Sequence, residues 1–518
     1  VRQKIIAIFL CLFSAVNSHA QSDTPPLAST GQPDIPPLAS TANNAPSPFP
    51  GTEAWKVSVT GKLLAEAPMG DNSRAQQFLF KGALLNPLYP TDVTAFDSYN
   101  ASNMFLVSSS RIGFTASRSY NNWETALVGF FNLNQGAGAR SNIREAYASF
   151  KHPLLGSFAL GNTYGLEDVA TIGPRDIICG SGGVSGTSIF KFLPATTGTL
   201  TYVGMTGGTN TATKVRYTTS RATEGVLKGF LFGVSYTPNT LHRGEMMLSV
   251  GVSPLREAFM PFDLNSLASG VNYLAQSENA SFGASFVYLM AGKTQSEKPL
   301  LAQAAKPQIT VDGKIIDKGA PELTGDELNR CPTRSYQLGA TCSLGNFSFS
   351  GEWIFNGDSH KLANNYDPVI KDAGGNVVIS GITPPDITVD GQPTKFEGKK
   401  YDASKAGQGQ IWNVAVAYTL NRYKFSVSYM QSSVKTGFLA NSQTESEKAT
   451  CLGWVCGIDR NLMSGLTIYG EVGQFTVKNP DWAYTATMIP SLTQFEYYGV
   501  AGSDTPLTVV IIGAKLQF

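Results

Sequence analysis

A transmembrane antiparallel β-barrel is the fold class this sequence predicts, and three observations predict it. Charged residues are 15% of the chain, well below the roughly 25% usual in soluble domains. No run after the N-terminus approaches the roughly 18 apolar residues of a membrane helix; the longest, VVIIGA at 509–514, is far too short. From Trp55 onward, short segments alternate apolar with polar or small residues, and the connections between them alternate strictly between long and short. A bilayer admits only helices or closed barrels, because every backbone N–H and C=O must pair internally. Short turns at one end and long loops at the other are what a barrel with one periplasmic and one outer rim requires.

The N-terminus reads as an export signal over 1–20. Arg2 and Lys4 precede the apolar run IIAIFLCLFSAV, and Ser18-His19-Ala20 supplies a small-x-small cleavage site. The formal net charge of +1 includes those two cations, so the chain without them stands at −1 and has no basic surplus for a nucleic-acid partner. Residues 21–50 are rich in Pro, Ser, Thr and Ala and carry PPLAST twice, at 25–30 and 36–41. Such a composition has no core to bury and reads as a linker. The barrel domain is then 51–518.

Strands are predicted at 55–64, 105–118, 123–133, 142–151, 156–163, 212–220, 228–237, 268–276, 282–292, 334–343, 347–356, 410–420, 423–432, 450–458, 466–475 and 506–518. That is sixteen, an even number that returns both termini to one side; EMMLSVGVS at 245–253 leaves an eighteen-stranded count open. Short turns fall at Ser119–Asn122, His152–Leu155, Leu344–Asn346 and Asp459–Gly465; long loops fall at 65–104, 164–211, 293–333 and 357–409. In 347–356, Phe347, Phe349, Gly351, Trp353 and Phe355 share one parity, and Ser348, Ser350 and Glu352 share the other. Aromatic rings gather near strand ends, as membrane interfaces favour. In the final strand, Phe518 has the apolar parity and Lys515 and Gln517 the polar one, so closure against the first strand would tie the end down.

The five cysteines beyond the leader (Cys179, Cys331, Cys342, Cys451, Cys456) make neither a disulfide framework nor a metal site, though a bridge between Cys179 and Cys331 is open. Cys451 and Cys456 should point to opposite faces. No histidine pair has metal spacing, no nucleophile elbow occurs, and GSGG at 180–183 lacks the Lys-Ser/Thr of a phosphate loop. No catalytic residue, metal or cofactor is expected.

SSRIGF (109–114), IREAYASFKHPLLGSFALGNTYG (143–165), EDVATIGPRD (167–176) and the hairpin CGIDRNLMSGLTIYGEVGQF (456–475) resemble the general porins of Gram-negative outer membranes. DcaP-type dicarboxylate porins look closest. The resemblance implies sixteen strands, a third loop folded inward, a homotrimer set in outer-membrane lipid, and passive diffusion of small hydrophilic solutes and ions. It also implies wall arginines facing loop carboxylates. Carried over, these are Arg144 and Arg216 on the wall, with Glu167, Asp168 and Asp176 on the loop beside Arg175. Strand parity adds Arg111 and places Lys214 on Arg216's face. Asn162 stands where the family often has arginine, so a less positive wall is expected. The rival readings are a substrate-selective porin for dicarboxylates or sugars, and a surface adhesin or structural barrel using its long loops. TVDGK (310–314) and TVDGQ (388–392) are read as related loop hairpins.

Overall fold

The computed structural model describes residues 54–70, 107–135, 142–185, 211–240, 262–295, 331–359, 400–439, 448–478 and 505–518, with Met205 and short segments of the outer loops. The predicted leader, linker and 245–253 lie outside the described residues. Sixteen strands form one closed barrel. In chain order they are β1 (Lys56–Gly70), β2 (Val107–Tyr120), β3 (Trp123–Gln135), β4 (Asn142–His152), β5 (Gly156–Thr163), β6 (Ala212–Thr218), β7 (Phe230–Asn239) and β8 (Phe262–Gln276). Then follow β9 (Ala280–Gln295), β10 (Arg334–Leu344), β11 (Phe347–Gly357), β12 (Lys400–Leu420), β13 (Tyr423–Leu439), β14 (Lys448–Met463), β15 (Leu466–Lys478) and β16 (Thr505–Gln517). Each pairs antiparallel with its sequence neighbour, and β1 pairs with both β2 and β16.

The predicted segments are all present, but several strands run further toward the long-loop rim, β12 starting at Lys400 rather than 410. Beyond the lipid both faces of a ladder are wet, so KYDASKAGQG keeps its hydrogen bonds without the apolar alternation that marks a strand in sequence. The DRNLMSG turn is shorter than read, since β14 continues to Met463. Other turns are tight. Asn121 and Asn122 take φ of 45° and 66°, the left-handed geometry of a two-residue hairpin turn, which asparagine tolerates.

The outer face carries two aromatic tiers. Phe347 packs against Tyr418 at 4.7 Å, and six residues along, Trp353 stacks on Trp412 at 5.3 Å. Six strand residues span about 20 Å, close to the height of a lipid band between two interfaces. Cys451 is fully buried and Cys456 half-buried, as opposite parity predicts, and both Cys179 and Cys331 are free thiols.

Closure is cemented on both faces. Phe518 exchanges backbone hydrogen bonds with Gly61, and its ring fills the space above that glycine on the lipid side. Inside, Glu66, Gly513 and Tyr469 stand in one row across β1, β16 and β15. Gly513 has no side chain to block the way, so the Tyr469 ring crosses β16 and its hydroxyl donates to Glu66 Oε1 at 2.5 Å.

At the outer rim, Asp263 accepts hydroxyls from Thr294 and, at 2.6 Å, from Thr333, joining the roots of two long loops. Val311 pairs with Lys314 and Val389 with Gln392, so the residues flanking each Asp-Gly step are paired antiparallel. Leu323–Thr324 pairs with Val369–Asp372 and links the two loops that bear them. A four-stranded sheet also joins Gln77–Gly82 and Phe96–Tyr99 of the first loop to Ile489–Ser491 and Gln494–Val500 of the last.

Candidate functional site: a lumen narrowed by the third loop

The inward faces of the strands divide the lumen into two unlike halves. From β7 to β14 they present small residues, among them Gly233, Ser235, Ala268, Ser285, Gly339, Ala415, Ser426 and Gly457. From β1 to β6 they present Glu66, Arg111, Glu145, Tyr147, Lys214 and Arg216. The third loop leaves β5 and lies along the small-residue half, visiting the strands in their own order as far as Gly183 and returning to β13 at Val184.

Backbone groups of the loop that would be stranded inside the barrel find partners on the wall, as burial demands. Leu166 N–H donates to Ser235 Oγ at 3.0 Å, and Ile172 N–H to Ser285 Oγ at 2.8 Å. Cys179 N–H donates to Ser426 Oγ at 2.9 Å, and Gly180 N–H to Asp459 Oδ1 at 2.7 Å. At the tip, Glu471 accepts Gly183 N–H at 3.0 Å and the Ser181 hydroxyl at 2.5 Å. Apolar contacts fill the gaps: Leu166 and Ala170 pack on Ala268, Val287 and Leu289, and Ile177 and Ile178 pack on Ala415 and Ala417. At Gly339 the wall and loop backbones nearly touch, and a Cβ there would sit 1.7 Å from the Ile172 carbonyl oxygen.

Locally the loop is a short helix, α1 (Leu166–Val169), followed by a 3-10 turn over Pro174–Asp176. Asp176 Oδ2 accepts Gly173 N–H at 2.9 Å, which caps that turn. Burial holds the Asp176 carboxyl above the usual carboxylate range, against the opposing pull of the Gly173 hydrogen bond and Arg175. Arg175 is exposed and spans the bend, donating to the Asp168 carbonyl at 3.0 Å and to Thr171 Oγ1. Cys179 is 1% exposed, and burial pushes its thiol up to about 12, which keeps it from acting as a thiolate.

The structure brings most of the sequence-predicted residues together. Arg111 faces the lumen as its parity predicts, 3.5 Å from Glu145 and with its guanidinium 4.5 Å over the Phe130 ring. Arg216 donates to the Tyr164 carbonyl at 2.8 Å, where the loop leaves the wall, with Tyr147, Glu145, Glu167 and Asp168 as its electrostatic neighbours. Lys214 and Glu167 are only 1% and 5% exposed, so their place is beneath the loop root rather than on its water face. Arg144 is the extra residue of a bulge, Phe130 pairing with Glu145 and Phe131 with Ile143, and its side chain lies outside the described residues. Asn162 bonds Thr213 on the exposed outer parity. The asparagine therefore takes no cation from the lumen, contrary to the expectation of a less positive wall. Sequence reading missed Glu145, Phe130, Glu471 and Asp459. A bulge shifts the parity of β4, and nothing local marks a wall carboxylate that serves a loop distant in sequence.

A family model for Gram-negative porins matches residues 7–480. No curated protein sequence matches the chain. Among solved structures, the anion-selective porin of Comamonas acidovorans aligns at 12% identity over 90% of this chain and 100% of that one, with a TM-score of 0.43. The outer membrane channel DcaP of Acinetobacter baumannii aligns at 11% over 90% and 97%, with a TM-score of 0.42. OmpT, an outer membrane protein of Vibrio cholerae described in a trimer form, aligns at 12% over 90% and 100%, with a TM-score of 0.41.

Proposed function

We propose, on the premise that this chain belongs to the Gram-negative porin family and is a diffusion channel through the outer membrane, that the third loop and the charged wall of β2–β6 set its bore and its selectivity. The observation that carries this reading is the loop's continuous seat along half of the lumen. Its seat leaves the opposite half, with Arg111, Tyr147 and Arg216, to line the open path, and the buried Glu145 acts on that path from beside Arg111. The solutes are small, hydrophilic and diverse, because neighbouring charges of both signs orient dipoles and repel apolar molecules without favouring one shape. No reaction and no energy coupling take part. Arg111, Arg144, Arg175, Arg216, Asp168 and Asp176 are the charges proposed to meet the solute, while Lys214 and Glu167 act by holding the loop.

Planar-bilayer recording across a salt gradient tests the charges singly. Removing one unit charge about 8 Å from the ion path changes its energy by about 0.5 kcal/mol in water, roughly twofold in relative permeability. Arg111→Gln should move the reversal potential toward cations and Glu145→Gln toward anions by similar amounts. Shifts of the same sign would remove the pair from the path. Conductance linear in solute concentration supports the general channel; saturation at millimolar dicarboxylate or sugar would favour a substrate-selective one.

A homotrimer is proposed with it. The outer face of β1–β5 carries a shallow apolar groove whose floor is small (Gly129, Ala146, Ala148) and whose edges are Val57, Phe114 and Leu127. A second copy offering aromatic knobs would fill it. Ala148→Trp fills the groove without adding charge, and should cut the trimer band on native gels while leaving a heat-modifiable monomer. An unchanged trimer would place the interface elsewhere.

A further inference from the structure

One turn at the periplasmic rim reaches the constriction. Residues 219–229, between β6 and β7, fold into a small loop of their own, with Gly229 N–H donating to the Ala222 carbonyl at 2.8 Å. Arg221 turns inward from its base. Its Nη1 donates to the Gly229 carbonyl at 2.5 Å and its Nη2 to Asn272 Oδ1 at 2.7 Å. Asn272 lies on the inward face of β8 and is 6% exposed. Its Nδ2 donates to the Ala170 carbonyl at 3.0 Å, and Ala170 is the residue that caps α1 of the third loop.

We propose that Arg221 is a positioning residue of the constriction, acting through Asn272 on the carboxyl end of α1. An amide side chain can turn its oxygen and nitrogen about, and only one of the two orientations offers a donor to Ala170. The guanidinium selects that orientation by demanding the oxygen. It is itself fixed, because the Gly229 carbonyl it grips also accepts Leu274 N–H at 3.0 Å, two residues along β8 from Asn272. The two forked donors satisfy the turn and the wall together, which a lysine ammonium on a flexible stem does not reproduce. A periplasmic turn thus holds a part of the constriction. The inference rests on the third loop being the constriction.

A plain mouth charge is the competing explanation of Arg221, and a double-mutant cycle separates the two. Full-length channels carrying Arg221→Gln, Asn272→Ala, both changes, or Arg221→Lys are to be compared in planar bilayers after a heat-modifiability check of folding. A hydrogen bond to a charged group governs the held state, so each single change should raise brief excursions from the main conductance level about tenfold. The double variant should add nothing further, and Arg221→Lys should not rescue. The proposal is overturned if the two changes add, or if Arg221→Gln moves the reversal potential while the excursions stay at wild-type frequency. Should Arg221→Gln fail to fold, Asn272→Ala alone decides, and a wild-type record from it sinks the proposal. Gly339→Ala with unaltered conductance would instead sink the constriction reading itself.

Discussion

Gly339→Ala should lower single-channel conductance although it adds one methyl group and no charge. The new Cβ would lie 1.7 Å from the Ile172 carbonyl oxygen, and real contacts of this kind do not fall under 3.0 Å, so one backbone must retreat by about 1.3 Å. The wall cannot yield easily, because Gly339 is paired on both sides, to Ser285 on β9 and Glu352 on β11. The loop must therefore move, and its two ends are held, by Arg216 at the root and by Asp459 and Glu471 at the tip. A segment pinned at both ends and pushed from the wall bows toward the centre of the lumen. Overpacking of this kind costs about 1–3 kcal/mol, with no side-chain rotamer available to relieve it. Gly351→Ala is the matched control, since a Cβ there meets nothing nearer than 3.7 Å. A rise in conductance for Gly339→Ala would mean that the loop leaves its seat altogether, and no change would mean that it does not rest there.

Lys214→Met should release the loop root and lower barrel stability together. Lys214 is 1% exposed, with Glu167 and Asp168 as its anionic neighbours, and Glu167 is 5% exposed. Removing one partner from a buried charge pair costs about 3–5 kcal/mol, because the other is left desolvated. Arg216 acts on the same two carboxylates and should hold the loss near the lower end. Thermal unfolding followed by gel mobility, with conductance noise recorded beside it, reads both effects. Adding Glu167→Gln removes the stranded charge, so the double variant should recover much of the loss. If it is no more stable than Lys214→Met, the two residues do not act as a pair.

The barrel was legible because lipid imposes its own grammar on a sequence. Phe347, Phe349 and Trp353 must face outward and Ser348, Ser350 and Glu352 inward, and that alternation survives without any relative for comparison. Arg111, Arg216 and Lys214 could be given a face on the same ground. What period two cannot say is which inward residue meets water and which meets the loop. Lys214 and Arg216 share a parity, yet one is buried beneath α1 and the other sits at the loop's point of departure. The signal for the seat was present as a succession of glycine, alanine and serine at inward positions of β7 to β14. In isolation each looks like an ordinary small residue of a wet wall. Arg144 shows the remaining limit, for one inserted residue in β4 reverses the rule that would have oriented it.

The order in which the loop meets the wall bears on how the channel is made. Leu166 rests on β7, Ile172 on β9, Cys179 on β13 and Gly183 on β15, so its handholds are spread over the strands of more than half the barrel. The tip anchor Glu471 stands on β15, beside the closing strand β16. A barrel halted earlier would lack the tip anchors and stand wide. The narrow bore is then a product of finished assembly, and an incomplete molecule would betray itself to the cell as a leak.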